Sequence, residues 1–396
     1  MQYNTYFWCL FFYRYSRLLV NCIAVLLYKP IPPPKSPSFT PRDVTVIVPT
    51  LEGRGELLVK SLETICRAGP YEIILSTVDK NREKAEETVR SIRESFPIKV
   101  TVTSVPNPSK RHQLAVAIEK TVSRIVICAD DDVFWRFKSF LKWILAPFED
   151  SRMGGVATRQ CLLRPSDMGL FERIWYFLGA LYLERRNFDC TATMFMDRGV
   201  PCLSGRTLAL RTEMVKNPVF LASFLSEQWS GAPLNPDDDN YFTRWIMNHE
   251  WKMYFQNHPQ AEVQTTLESD LKFLKQCVRW SRSNWRSNLR SLLEWTTWRR
   301  YPWSTYTVFL TTPTQLTLMT EPLLIWLCHK TTEADAVLNF PSMVQLLGFI
   351  ASTKFVKLVS HYRRHPWDLV LSPVSVLFGY FHSLIKIYSA FTLSNV

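Results

Sequence analysis

The order of apolar and polar positions divides the chain into three parts. Residues 4–28 (NTYFWCLFFYRYSRLLVNCIAVLLY) are apolar and aromatic, interrupted by Arg14 and Arg17. That length suits one membrane-crossing helix over 1–29, with its arginines snorkelling from the end; a helix lying in the interface is the other reading. PIPPPKSPSFTPRD then predicts a stiff, extended linker over 30–42. From residue 44 the pattern changes to short β-branched runs separated by charged helical stretches. VTVIVPT (44–50), EIILST (72–77), KVTVTSV (99–105) and RIVIC before ADDD predict four strands. Residues 54–68, 80–95 and 110–121 predict the helices between them. Strands alternating with helices imply an α/β fold, a mostly parallel sheet with helices on both faces. Ligands of such sheets bind beyond the carboxyl ends of the strands, where Asp79 and Asp130–Asp132 stand.

Three further apolar stretches follow Trp303, at 304–328, 336–358 and 367–391. Each is near spanning length and each is interrupted: by Pro313 and Glu321, by Lys354 and Lys357, by Pro373 and Lys386. Buried helices of a soluble domain compete with this transmembrane reading of 304–396 as about three helices. The connecting charges favour the membrane. Arg299 and Arg300 precede the first stretch, Glu333 and Asp335 outnumber Lys330 after it, and 354–364 is strongly basic. Alternating basic and acidic connections follow the positive-inside pattern, which puts 30–302 in the cytosol and both termini outside. Two segments read as helices lying along the membrane surface. One is 168–186. The other is 281–303, where Arg282, Arg286 and Arg290 recur every four residues beside Trp285, Leu289 and Leu292.

Composition adds three constraints. The chain has 396 residues, 47% of them hydrophobic and 14% aromatic, which excludes a disordered protein. A net charge of +12 fits phosphate ligands or an anionic membrane face; no nucleic-acid module is visible, so nucleic acid is not an expected partner. Nine cysteines without CxxC or zinc spacing read as reduced thiols. Neither GxGxxG nor GxxxxGK[ST] occurs, so neither a dinucleotide fold nor a P-loop is indicated.

The candidate chemistry lies in two acidic triplets and a later motif. ADDDV carries Asp130, Asp131 and Asp132. NPDDDNYFTR carries Asp237, Asp238 and Asp239. QCVRW runs from Gln276 to Trp280. Acidic runs alone are usually solvated loops; their order after alternating strands and helices, before apolar segments, is more specific. In that order the chain resembles glycosyltransferase family 2, and more closely its hyaluronan, chitin and cellulose synthase branch and fungal capsular-polysaccharide-synthase-like proteins. The resemblance implies a GT-A-type domain over 43–280 and an inverting transferase using a UDP-sugar. A polysaccharide at the cytosolic face of the plasma membrane, exported through the enzyme's own helices, is the expected product.

Residue by residue, the resemblance gives Asp79 to the uracil N–H, against a plain turn residue. It gives Lys110 and Arg111, in NPSKRHQ, to the nucleotide and diphosphate, against a solvated basic turn. Asp130 and Asp132 become the DxD pair at the diphosphate, and at least one of them binds Mg²⁺ or Mn²⁺. DDNYFTR matches the acceptor-base pattern at Asp238 and Asp239, with the register open by one; Asp239 is the candidate general base. Ser204 and Gly205, in PCLSGR, lie below the acceptor pocket. Arg279 pairs with the diphosphate, Gln276 hydrogen-bonds donor or acceptor, and Trp280 stacks on the acceptor sugar. Two other readings stand beside this one: a synthase that glycosylates a membrane lipid, and a catalytically silent membrane scaffold. Four spans are fewer than polymer synthases of the family often have, which leaves room for a homo-oligomer or a partner subunit.

Overall fold

The computed structural model describes residues 2–165, 167–334 and 340–395. Asp335 and the start of the second apolar stretch, 336–339, lie outside the described residues. The chain forms two compact units. One is α/β and consists mainly of Lys29–Leu163 and Arg198–Thr266; the other is helical and gathers Met1–Tyr28, Arg164–Asp197 and Leu267–Leu393.

The α/β unit is built on a seven-stranded sheet. Its strands run in the order Lys252–Gln256, Met153–Thr158, Thr207–Arg211, Ile125–Ala129, Val44–Pro49, Glu72–Val78 and Lys99–Val105. Val44–Pro49, Glu72–Val78 and Ile125–Ala129 are buried at every position, the mark of strands covered on both faces by helices. The intervening helices are Glu56–Ala68, Arg82–Ser95 and Lys110–Lys120, within two residues of the expected bounds. One strand departs from the parallel pattern. Thr207–Arg211 runs antiparallel to both of its neighbours, so the sheet is mixed.

The first strand lies between the second and the fourth, all three parallel. Successive connections therefore leave the first strand in opposite directions, and this switch opens a crevice at the carboxyl ends of the strands. Gln113 clamps two of those ends: its Nε2 donates to the carbonyls of Thr50 (2.8 Å) and Ser76 (3.0 Å). Beyond ADDD a smaller sheet forms. Val263–Thr265 pairs antiparallel with Val133–Trp135 and parallel with Gln160–Leu162.

In the helical unit, Gln2–Leu27 and Pro366–Phe391 are 26 residues each, long and apolar enough to cross a membrane. Met343–Val356 is apolar but has 14 residues. The stretch 304–328 is not one helix. A π-helical turn, Thr305–Leu310, and a 3-10 turn, Pro313–Gln315, precede the helix Thr317–Ala334, because Pro313 has no N–H to continue the ladder. QCVRW sits inside one continuous helix, Lys272–Leu293, which passes through the expected boundary at 280.

The basic face expected for 281–303 is partly internal. Trp285 Nε1 donates to Lys386 O (3.0 Å), Arg282 Nε to Thr392 Oγ1 (3.0 Å), and the buried Arg286 to Leu393 O (3.3 Å). The segment 168–186 belongs to the helix Leu170–Asp197, whose Phe177, Leu178 and Leu181 share a core with Phe273 and Cys277.

One glycine tests the packing of the α/β unit. A Cβ on Gly154 would lie 2.8 Å from Trp251 Cβ and 3.0 Å from Met214 Sδ. Gly154→Ala is expected to cost about 1–3 kcal/mol through overpacking. The measurement is the unfolding midpoint followed by tryptophan fluorescence; an unchanged midpoint contradicts this close approach.

Candidate active site

The site begins where the fourth strand ends. Asp130 N donates to Arg206 O (3.1 Å), fixing the first acidic turn against the loop that precedes Thr207–Arg211. The second acidic cluster opens the helix Asp238–Asn248, with Asp237 in a left-handed conformation (φ 69°) as its cap. Lys110, at the start of its own helix, joins the two. Its Nζ lies 2.8 Å from Asp130 Oδ1 and 3.1 Å from Asp238 Oδ2. Burial opposes the charge on Lys110, but Asp130, Asp238 and Asp239 outweigh it and hold the lysine well above its ordinary pKa. Lys110 is a fixed cation at neutral pH.

Asp239 is held from two sides. Its Oδ2 accepts from Gly205 N (3.2 Å) and its Oδ1 from Asn240 N (2.8 Å). The loop can approach because position 205 is glycine: a Cβ there would lie 3.3 Å from both Asp238 Oδ2 and Lys110 Nζ. The adjacent Ser204 is buried, and its Oγ accepts from Arg206 N (3.4 Å). Thr243 extends the frame, its hydroxyl donating to Asp239 O (2.7 Å) and accepting from Leu203 N (2.9 Å). Burial and the neighbouring Asp238 raise the pKa of Asp239, while Lys110 and the Gly205 N–H oppose them. A carboxylate whose proton affinity is raised above the usual range suits a general base.

Asp132 lies in a different setting. Its Oδ2 accepts from Thr266 Oγ1 (2.9 Å) and Thr265 Oγ1 (3.3 Å). Burial and Asp130 raise its pKa, against the charge of Arg206. Burial raises Asp131 as well. Sequence reasoning missed Thr265, Thr266 and Arg206. The threonines reach Asp132 through a strand pairing that no local signal announces.

Arg111, expected at the diphosphate, is placed elsewhere, and this corrects the expectation. It is 2% exposed, donates to Phe224 O (2.8 Å) and Pro236 O (3.0 Å), and pairs with Glu227 at 2.6 Å. Arg244 takes the other Glu227 oxygen at 2.6 Å. Arg111 thus anchors the loop that carries the second triplet from inside the protein. Asp79 stands exposed at the head of a 3-10 turn, Asp79–Asn81, at the carboxyl edge of the sheet.

The chain as a whole matches known proteins. The model of the family described as glycosyltransferase like family 2 matches residues 41–283. A type 2 glycosyltransferase of Zymoseptoria tritici is 44% identical over 98% of this chain and 82% of its own length. This chain is a family 2 glycosyltransferase. Its fold is GT-A-like, and it is a nucleotide-sugar transferase. The NDP-glycosyltransferase ltbB of Aspergillus luteorubrus is 30% identical over 70% of this chain and 69% of its own. A hyaluronan synthase of Streptococcus pyogenes is 22% identical over 89% of this chain and 81% of its own. The mannosyltransferase PcManGT from Pyrobaculum calidifontis, solved in complex with GDP-Man and Mn²⁺, has the same fold. Its TM-score is 0.59 at 15% identity, covering 98% of this chain and 99% of that one.

The motif residues of this family 2 chain fall in both units. Lys110, Asp130, Asp238, Asp239 and Gly205 are brought together in the α/β unit. Gln276, Arg279 and Trp280 belong to the helical unit, where Arg279 is exposed and Gln276 Oε1 is buried with no hydrogen-bond partner among the described residues. Trp280 packs on Tyr182 and Phe273, with ring centroids 4.9 and 6.3 Å away.

Among the described residues no three His, Cys, Asp or Glu side chains converge into a metal cage made of protein alone. The donor set at ADDD still fits a divalent ion. Mg²⁺ and Mn²⁺ need only one or two carboxylates when phosphate and water supply the rest. Asp132 carries a raised pKa because burial, and then the charge of Asp130, disfavour its ionised form.

Two outcomes follow. Arg111→Ala is expected to destabilise by about 3 kcal/mol, because it breaks a buried ion pair. A denaturant titration checks this; unchanged stability with lost nucleotide affinity would return Arg111 to the diphosphate. For Asp132, a folded pKa above the ordinary 3.8 means that the folded state binds this proton more tightly than the unfolded chain. Stability therefore falls as pH rises through that interval and stays lower at neutral pH. In chelator at neutral pH, Asp132→Asn is expected to melt higher than the wild type. The difference shrinks as pH falls toward the ordinary carboxylate pKa.

Proposed function

We propose that this protein is an inverting, divalent-metal-dependent transferase that moves a hexose from a UDP-sugar to an acceptor at a membrane. The reading rests most on one observation: Lys110 bridges Asp130 and Asp238 beside Asp239. That arrangement sets a diphosphate-binding turn next to a candidate base. Asp239 accepts the proton of the acceptor hydroxyl as its oxygen attacks the anomeric carbon. The new glycosidic C–O bond forms on the face opposite the breaking bond to phosphate, and the nucleoside diphosphate leaves. Asp130 and Asp132 would hold Mg²⁺ or Mn²⁺, which when bound neutralises charge on the leaving diphosphate. Asp79, open at the sheet edge, accepts from the uracil N–H. Gln276, Arg279 and Trp280 serve donor and acceptor as the family pattern implies.

The apolar helices Gln2–Leu27 and Pro366–Phe391 support an integral membrane enzyme; the alternating charges of its connecting segments support an α/β unit on the cytosolic side. The likeness to a hyaluronan synthase supports a polysaccharide product exported through the same chain. A second reading, glycosylation of a membrane lipid, is favoured by the helical unit, where basic side chains outnumber the carboxylates among them.

The test is UDP release by purified protein in lipid, screened across UDP-sugars with Mg²⁺ or Mn²⁺. Release with one donor is expected, abolished by chelator and lowered about 10²–10⁴-fold by Asp239→Asn. A radiolabelled product of high mass supports the polymer, and a small organic-soluble product the lipid. Release that survives Asp239→Asn removes the base assignment. No release from any donor supports the silent scaffold.

A further inference from the structure

The two outer aspartates of ADDD are held in different ways. Asp130 meets a cation, Lys110 Nζ, at 2.8 Å. Asp132 meets hydroxyls: its Oδ2 accepts from Thr266 Oγ1 (2.9 Å) and Thr265 Oγ1 (3.3 Å). Its Oδ1 has no hydrogen-bond partner among the described residues. Arg206 acts on Asp132 through its charge, while its guanidinium donates to Gln160 Oε1 (3.1 Å).

Strand pairing delivers the two threonines. Val263–Thr265 runs antiparallel to Val133–Trp135, which sets Thr265 opposite Val133, the residue after Asp132. On its other edge Thr265 stands opposite Leu162, and its carbonyl accepts from Leu163 N (2.9 Å). Thr265 is fully buried, with its main chain held between two strands. Thr266 follows directly, so its placement beside Asp132 is set by backbone that cannot slide without breaking both pairings.

The two hydroxyls are not equivalent. A threonine hydroxyl has one proton to donate. Thr265 Oγ1 has two acceptors in reach, Asp132 Oδ2 at 3.3 Å and Thr266 O at 3.2 Å, and serves one at a time. Thr266 Oγ1 donates to Asp132 Oδ2 at the shorter distance. Thr266 is therefore the partner that fixes this carboxylate.

A hydroxyl suits that place better than a cation. It holds one carboxylate oxygen by a directed bond and brings no positive charge to compete with an incoming metal ion. A carboxylate ligand free to rotate loses that freedom when it binds, and an outer hydrogen bond removes part of this cost in advance. We infer that Thr266 is a positioning residue for the divalent ion: its hydroxyl fixes Asp132 Oδ2 and leaves Oδ1 for Mg²⁺ or Mn²⁺. The inference rests on the metal-dependent reading above and adds a residue outside ADDD that sets the affinity for the ion.

The experiment uses the full chain in detergent with Mn²⁺ and UDP. Bound Mn²⁺ is read from the loss of the free-ion signal in electron paramagnetic resonance. Thr266→Val removes the hydroxyl and keeps the bulk; Thr266→Ser keeps the hydroxyl. Thr266→Val is expected to weaken Mn²⁺ binding about tenfold or more, and Thr266→Ser to bind as the wild type does. Thr265→Val is expected to lose less than Thr266→Val, because its proton is divided between two acceptors. If Thr266→Val does not fold, Thr266→Ala takes its place. Binding by Thr266→Val as tight as the wild type's makes the hydroxyl idle and overturns the inference. Binding by Thr266→Ser as weak as that of Thr266→Val makes the role one of packing and overturns it too. A wild type that binds no Mn²⁺ with UDP removes the metal-dependent reading and the inference together; one that binds it no more tightly than Thr266→Val removes the inference alone.

Discussion

Lys110 Nζ lies between two acidic turns that the chain brings from far apart, and the rest of the site depends on it. Six aspartates lie at the ends of one strand and one helix, and without a half-buried cation their mutual repulsion would push the turns apart. The lysine reaches Asp130 and Asp238 together, and its charge also bears on Asp239. It keeps the two acidic turns in register. Asp132 stands apart from this contact, its pKa raised by burial and by Asp130.

The fold supplies the positions for this contact. The switch in strand order opens a crevice above Val44–Pro49 and Ile125–Ala129, and the helix carrying Lys110 starts at its rim. The antiparallel strand Thr207–Arg211 brings Gly205 beside Asp239, where a Cβ would press on Asp238 Oδ2 and Lys110 Nζ at 3.3 Å. Arg111 works from behind. With Glu227 and Arg244 it fixes the loop before Asp237, so neighbouring basic residues in the sequence have opposite fates, one in the site and one in the core.

Much of this was legible in the chain. The four β-branched runs and the three helices between them appear where the pattern puts them, because burial on both faces leaves little choice of residue. ADDDV and DDNYFTR also come together as their order suggests. Long-range pairing was not legible. Nothing near Thr265 or Thr266 announces Asp132, since the pairing of Val263–Thr265 with Val133–Trp135 is decided by the whole fold. Arg111 read as a diphosphate ligand, or as part of a solvated basic turn, because its acid partner, Glu227, is remote in sequence. In the helical unit, Pro313 marks where an apparent span breaks, while the contacts of Arg282 and Arg286 with the C-terminal residues escape any helical-wheel argument.

The central claim is that Lys110 and the second acidic turn act as one unit. A double-mutant cycle tests it most directly: Lys110→Met, Asp238→Asn and the two together, read as kcat/KM for sugar transfer. The account predicts strong non-additivity, a coupling of about 1 kcal/mol or more, because each change removes the same contact. Additive losses would show that the lysine and the aspartate act independently, and would contradict the account.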